Sequence, residues 1–138
     1  MNYEYSENEK KHGDLYSLYK SLGWQEFLEI DGIALQTAME KSFYVIYVYA
    51  GNKLIGTGRV ISDGIINAYI CGIGVDKDYR NRRIGSEILN RLVKKCKVSK
   101  LHIQLICEEH LISYYESKGF STFAVAMKKT KNTDKKND

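Results

Sequence analysis

The stretch from residue 65 to residue 107 limits the possible folds more than any other. It reads "IINAYICGIGV", then a charged loop, then a long amphipathic segment, then "LHIQLIC". Two β-rich runs separated by a helical pattern cannot close as a tight hairpin. They predict a strand, a crossover helix and a second strand, which is a right-handed parallel unit inside a sheet. In the middle segment Ile84, Gly85, Ile88, Leu89, Leu92, Val93 and Cys96 form pairs four residues apart, one continuous stripe. Arg91, Lys94, Lys95 and Lys97 fall outside it.

The remaining elements follow from the same patterns. "GDLYSLYKSLGW" (13–24) places Leu15, Leu18, Tyr19 and Leu22 at helical spacing and stops at Gly23. "IALQTAMEKS" (33–42) repeats the pattern with Ile33, Leu35, Ala38 and Met39. "FYVIYVYA" (43–50) and "KLIGTGRVIS" (53–62) read as strands joined by the turn Gly51-Asn52. Asp63-Gly64 signals a hairpin into the strand 65–75, whose glycines at 72 and 74 permit a bulge or a close backbone approach. "HLISYYESKGF" (110–120) predicts a short helix ending at Gly119, and "STFAVAMKKT" (121–130) a last strand. His102 falls in a buried strand pattern and reads as a core residue, and the N-terminus reads as irregular. The fold class is α/β in the α+β sense: a mixed central sheet with helices on both faces.

Charge and cysteine usage narrow the functional classes. The chain has 138 residues, suited to one domain over residues 1–130, with a disordered basic tail at 131–138. The net charge is +4, and the tail "KKTKNTDKKND" (128–138) carries most of it. A basic surface for nucleic acid is therefore not expected. No apolar run approaches the roughly 18–20 residues of a membrane span, and "MNYEYSENEKKHGD" lacks the apolar core of a secretory signal. Cys71, Cys96 and Cys107 are odd in number and widely spaced, which argues against a disulfide framework and a zinc site. A cytoplasmic protein without a metal is expected, and a homodimer is plausible on general grounds.

The loop "DKDYRNRRIG" carries the chemistry. Arg80, Arg82 and Arg83 crowd the start of a helix whose N–H groups already present positive partial charge. That is unfavourable unless an anion sits there, and helix N-termini commonly hold phosphate. Three arginines suit a pyrophosphate better than a single carboxylate. The G-x-x-x-x-G-K-[ST] loop is missing, and the glycines of "CGIGVD" lie within a strand rather than at a turn. On spacing alone, a solvated basic loop capping the helix fits equally well.

The stretch "IGVDKDYRNRRIGSEILNRLV" resembles the signature of the GNAT superfamily of N-acetyltransferases, opened here by Arg80 and closed by Gly85. "SYYESKGF" (113–120) resembles the family's second landmark, an aromatic-Tyr pair followed by Gly-Phe. The resemblance covers roughly residues 13 to 128 and implies the GNAT fold, with acetyl-CoA as donor. It implies that the loop from Arg80 through Asn81, Arg82, Arg83, Ile84 and Gly85 to Ser86 holds the pyrophosphate. Ile73, Gly74 and Val75 would bind the pantetheine arm, beside a bulge that opens a slot for the thioester. Tyr115 would be the general acid for the departing thiolate. The chain departs from the family at Asn81 and Arg83, positions often occupied by glycine. Arg83 must then hold an ordinary φ or accept strain.

The implied reaction is direct attack by an amine on the thioester in one ternary complex. The strand "AYICGIGV" lacks the carboxylate that many relatives use as base. Glu108 and Glu109, with His110, follow the next strand and are candidates, and acids at a helix start also simply suit the dipole. Trp24 and Phe27, near Glu26, Glu29 and Asp31, offer an aromatic wall for a cationic amine. "LYKSLGW" and "GTGRVISDG" look like small GNAT proteins that include arylalkylamine-type members, which implies small amines over protein lysines. A CoA-binding sensor without turnover is the alternative that the missing carboxylate and Arg83 motivate.

Overall fold

The computed structural model describes residues 2–130, except the side chain of Phe27. The tail at 131–138 lies outside the described residues. The chain forms two compact units, the first ending at Leu105 and the second beginning at Ile106.

The first unit is built on a five-stranded sheet in the order β1-β2-β3-β4-β5. Its strands are β1 (Glu4–Ser6), β2 (Tyr44–Ala50), β3 (Lys53–Ser62), β4 (Asn67–Val75) and β5 (His102–Leu105). Neighbours from β1 to β4 run antiparallel, and β4 and β5 run parallel. The parallel pair is joined by the helix α4 (Ile84–Val98), as the pattern at 65–107 requires. The β3–β4 hairpin turns at Gly64, φ 80, where the Asp63 carboxylate accepts the N–H groups of Ile65 and Ile66 at 2.8 Å each.

Helices cover both faces. On one, α1 (Asp14–Ser21) and α3 (Gly32–Glu40) bury Leu15, Leu18, Tyr19, Leu35 and Met39 against Val45, Tyr47 and Tyr49 of β2 and Leu54 of β3. The short helix α2 (Gln25–Leu28) links them. On the other face, α4 buries Ile84, Ile88, Leu89, Leu92 and Cys96, with Ile84 and Ile88 against Gly56 of β3. Each such side chain contributes about 1.5–3 kcal/mol relative to exposure. The basic residues outside the stripe cover aromatic rings: Arg91 lies 4.3 Å over Tyr5, and Lys95 5.2 Å over Tyr44.

Four expectations need correction. The N-terminus is not irregular, because Glu4–Ser6 pairs with Tyr47–Tyr49 as an edge strand. His102 opens β5 and is exposed rather than in the core. In the second unit the helix 110–120 is shorter than expected. It comprises a 3-10 turn at Glu109–Leu111 and α5 (Ile112–Glu116), after which the chain turns at Gly119, φ 91. The last strand is not formed: residues 121–130 carry no strand, and Phe123, Val125 and Met127 are exposed. Among the described residues no strand pairs with this alternation of apolar residues.

Candidate active site

The site is built where β4 leaves its neighbours. β4 pairs with β5 only from Asn67↔His102 to Ile70↔Leu105. Beyond Ile70 the edge of Cys71–Val75 that faces away from β3 has no ladder partner among the described residues. On the β3 side the register slips: Thr57 faces Gly74, whereas Arg59 faces Cys71. One residue of β3, Gly58, thus stands opposite two of β4, Gly72 and Ile73, a bulge in β4. Gly72 holds φ 65, a conformation that glycine enters without the penalty a Cβ imposes. The bulge anticipated from the glycines is present, and it leaves backbone N–H and C=O groups of β4 available to an extended ligand.

Gly74 answers a second demand. A Cβ there would lie 2.7 Å from both Leu22 Cδ1 and Trp24 Cη2. Trp24, at the end of the α1 turn, therefore presses its ring directly on β4. It meets Tyr19 edge-to-face at 4.8 Å. Trp24 is thus placed beside the strand that the resemblance gives to pantetheine. Phe27 lies outside the described side chains.

After Val75 the chain makes a 3-10 turn, Lys77–Tyr79, capped by the buried Asp76, whose side chain accepts the N–H of Asp78 at 2.9 Å. Arg80 donates from Nε to the Val75 carbonyl at 3.0 Å. Arg82 donates to the Tyr3 hydroxyl at 3.1 Å and lies 5.2 Å over the Tyr79 ring. Arg83 is exposed and has no hydrogen bond or ion pair among the described residues. Asn81 and Arg83 both adopt left-handed backbone, φ 64 and φ 63. Arg83 therefore accepts strain, at a cost of about 1–2 kcal/mol for an L-residue. The first bond inside α4 is Glu87 N–H to the Arg83 carbonyl, 3.1 Å, so the N–H groups of Ile84 and Gly85 precede the helical ladder. Ser86 lies in the same first turn, part-buried. Ile73 and Val75 alternate with Gly74 along the unpaired edge.

Sequence reasoning missed Arg59. It lies on β3 opposite Cys71, at the bulge. Nη1 donates to the Ser42 hydroxyl at 3.2 Å. The guanidinium lies near the Tyr19 phenol, whose pKa is raised by burial and lowered in part by Arg59. Burial likewise raises the Cys71 thiol, against an opposing pull from Arg59. An arginine in the apolar run "LIGTGRVIS" was the available signal.

In the second unit, Tyr115 is part-buried on α5, edge-to-face with Tyr114 at 5.1 Å and with Phe120 at 5.9 Å. Burial, then Tyr114 and Cys107, push its phenol up, so it is protonated and able to donate at neutral pH. Glu108 and Glu109 are exposed, and Glu108 approaches His110 at 3.6 Å. Among the described residues no group of three or more His, Cys, Asp or Glu side chains is placed to hold a metal, and no helix is long and apolar enough to cross a membrane. A separate cavity of about 510 Å³ opens on the α3 side of β2, lined by Glu7, Glu9, His12, Glu40, Tyr44 and Tyr47 among others. It lies two strands from the bulge.

Comparison with known proteins fits this architecture. The family model described as "Acetyltransferase (GNAT) family" matches residues 8–120. The uncharacterized N-acetyltransferase ycf52 of Pyropia yezoensis is 27% identical over 109 residues, covering 78% of this chain. The chain spans 63% of that relative's length. A GNAT-family acetyltransferase of Streptococcus pneumoniae superimposes with TM-score 0.72 at 20% identity, over 95% of this chain and 98% of its own. An acetyltransferase of Trypanosoma brucei does so with TM-score 0.76 at 14% identity, over 94% and 99%. The structural likenesses establish the fold.

Proposed function

The chain belongs to the acetyltransferase (GNAT) family, and on that premise we propose that it moves the acetyl group of acetyl-CoA to a primary amine of a small molecule. The observation that carries this reading is the course of β4. An unpaired edge at Cys71–Val75 leads without interruption into an arginine-bearing turn and the N-terminus of α4. A ligand that ends in a pyrophosphate and begins in an amide-bearing arm matches both halves. The N–H groups from Arg80 to Ser86 receive the phosphates, with Arg83 the exposed cation beside them. Ile73, Gly74 and Val75 bond the pantetheine amides.

The amine attacks the thioester directly, in a ternary complex. An alkyl amine of pKa near 10.4 is neutral in roughly one part in a thousand near pH 7.4, so its proton must be taken up. Glu108, Glu109 or a water chain serves as base, and Tyr115 protonates the thiolate. The likeness of "LYKSLGW" and "GTGRVISDG" to arylalkylamine-type members supports a small acceptor.

Calorimetric titration with acetyl-CoA and with its 3′-dephospho analogue tests the donor site. Micromolar binding that weakens without the 3′-phosphate is expected. No binding up to millimolar ligand overturns the reading. Binding without acetylation of any amine in a broad panel favours the CoA-sensing alternative, for which the missing β4 carboxylate is the motive.

A further inference from the structure

The first unit holds buried polar atoms that the protein itself does not satisfy. Among the described residues, the buried side-chain polar atoms without a partner belong to Gln25, through Nε2 and Oε1, and to Arg59, through Nε. A buried donor left unmade costs about 1–3 kcal/mol, more when charged. Such groups are few in native structures, and a missing ligand is one of their ordinary explanations. Arg59 is placed at the bulge: its Cγ and Nε, with the Tyr19 hydroxyl, lie around the position a Cβ on Gly72 would take, at 3.7, 3.7 and 3.4 Å. Tyr19 in turn meets Trp24 edge-to-face.

The charge is equally unmatched. No carboxylate among the described residues lies within 4.0 Å of Arg59, although Lys10, Lys53 and Arg91 each have one. Nη1 is taken by Ser42. The Nε–H belongs to the side-on edge of the guanidinium, the edge that meets a planar two-oxygen anion with parallel bonds. The side chain is part-buried, so its charge is neither fully hydrated nor paired.

We infer that the acceptor amine also carries an anionic oxygen group, a carboxylate or a phosphate, which Arg59 grips beside the β4 bulge. The inference rests on the acetyltransferase reading for the amine. Its anion-binding content stands on Arg59 alone. The thioester slot and the anion site then share the bulge, which sets the acceptor by its two ends.

The test is calorimetric titration of the full chain with matched pairs that differ in the anion: β-alanine and ethylamine, phenylalanine and phenethylamine, O-phosphoethanolamine and ethanolamine. Each is run on the free protein and in the presence of CoA, beside a separate acetyl-CoA titration. The anionic members are expected to bind about 10- to 100-fold more tightly than their neutral partners. The carboxylate and phosphate arms decide which anion is preferred. In Arg59→Gln the preference is expected to collapse to about twofold or less, with acetyl-CoA affinity retained. Arg59→Lys, which keeps the charge and loses the fork, should retain an intermediate preference. A purely structural arginine would lower the binding of both members together, and that result overturns the inference. Equal binding of the pairs by the wild type, with acetyl-CoA bound, overturns the inference and leaves the donor reading standing. An anion preference without acetyl-CoA binding overturns the donor reading alone.

Discussion

Replacing Arg83 with glycine should stabilise the protein and weaken its hold on acetyl-CoA at once. Arg83 precedes α4 with φ 63 and ψ 17 and makes no side-chain capping bond. Left-handed backbone costs an L-residue about 1–2 kcal/mol, and glycine enters it freely. Against that gain, glycine makes the unfolded chain more flexible, a loss of about 0.4–1 kcal/mol. Removing a cation from the positive end of a helix returns about 0.3–1 kcal/mol at low salt. The guanidinium is exposed and bonds nothing among the described residues, so no native contact is lost. The balance is a gain of about 1 kcal/mol, or a rise in Tm of about 3–5 °C for a chain of this size. Donor affinity moves the other way. Loss of one charge-assisted phosphate contact, about 1.5–3 kcal/mol, weakens Kd by about 10- to 150-fold. Arg83→Ala separates the two effects, since it keeps the Cβ and its strain and loses only the charge. Thermal unfolding of the three proteins, without and with graded acetyl-CoA, reads both quantities. A ligand-free Tm for Arg83→Gly at or below wild type would refute the strain argument. Unchanged donor affinity in both variants would refute the phosphate contact.

Other consequences are open to direct measurement. Tyr115→Phe should lower kcat by about 100-fold or more while leaving acetyl-CoA affinity nearly unchanged, read by thiol release and calorimetry; equal kcat would remove Tyr115 from the chemistry. Gly74→Ala should cost about 1–3 kcal/mol in denaturant unfolding, because its Cβ would meet Leu22 and Trp24 at 2.7 Å. Leu92→Ala, at a position with no exposure, should cost about 2–5 kcal/mol. The Tyr47 phenol is pushed from 10.0 up to about 12, first by burial and then by Glu9, Tyr19 and Glu40. The folded state therefore holds that proton more tightly, so stability is complete below pH 10 and falls as pH rises towards 12. Denaturant midpoints between pH 8 and pH 11.5 should show the fall, and Tyr47→Phe should reduce it.

Periodicity made most of the first unit legible. The α4 stripe is wide and regular, and β2, β3 and β4 are long and rich in Val, Ile and Tyr, so local pattern and tertiary burial agree. β1 escaped because it has three residues, "EYS", and takes its order from pairing with β2 rather than from its own propensity. The segment 121–130 failed in the opposite sense. Its alternation is strand-like, but alternation states only which side chains share a face, and a strand also requires a partner edge. The loop of the candidate site was legible as a charge anomaly. Arg59 offered only the oddity of an arginine in an apolar run, and nothing in "GTGRV" reveals that its guanidinium would lie near Tyr19 and bond Ser42.

The positions where this sequence breaks local rules are themselves informative. Among the described residues, four other than glycine hold positive φ: Glu29, Asn81, Arg83 and Lys100. Glu29 closes α2, and Lys100 follows the end of α4, and a left-handed residue there is an ordinary way to end a helix. Asn81 follows the end of the 3-10 turn in the same way, whereas Arg83 stands immediately ahead of α4, where no such termination is needed. The bulge at Gly72 and the unpaired edge lie on β4, and the unmatched guanidinium of Arg59 belongs to the β3 residue that faces Cys71 there. Such departures would be dispersed if each were a local accident of packing. Their convergence on β4, its β3 neighbour and the turn that follows means that one region bears strain, exposed backbone and uncompensated charge together. A fold stable by only about 5–15 kcal/mol has little room for such costs unless a ligand repays them. The rest of the molecule, where pattern and packing agree, supplies the stability on which that region draws.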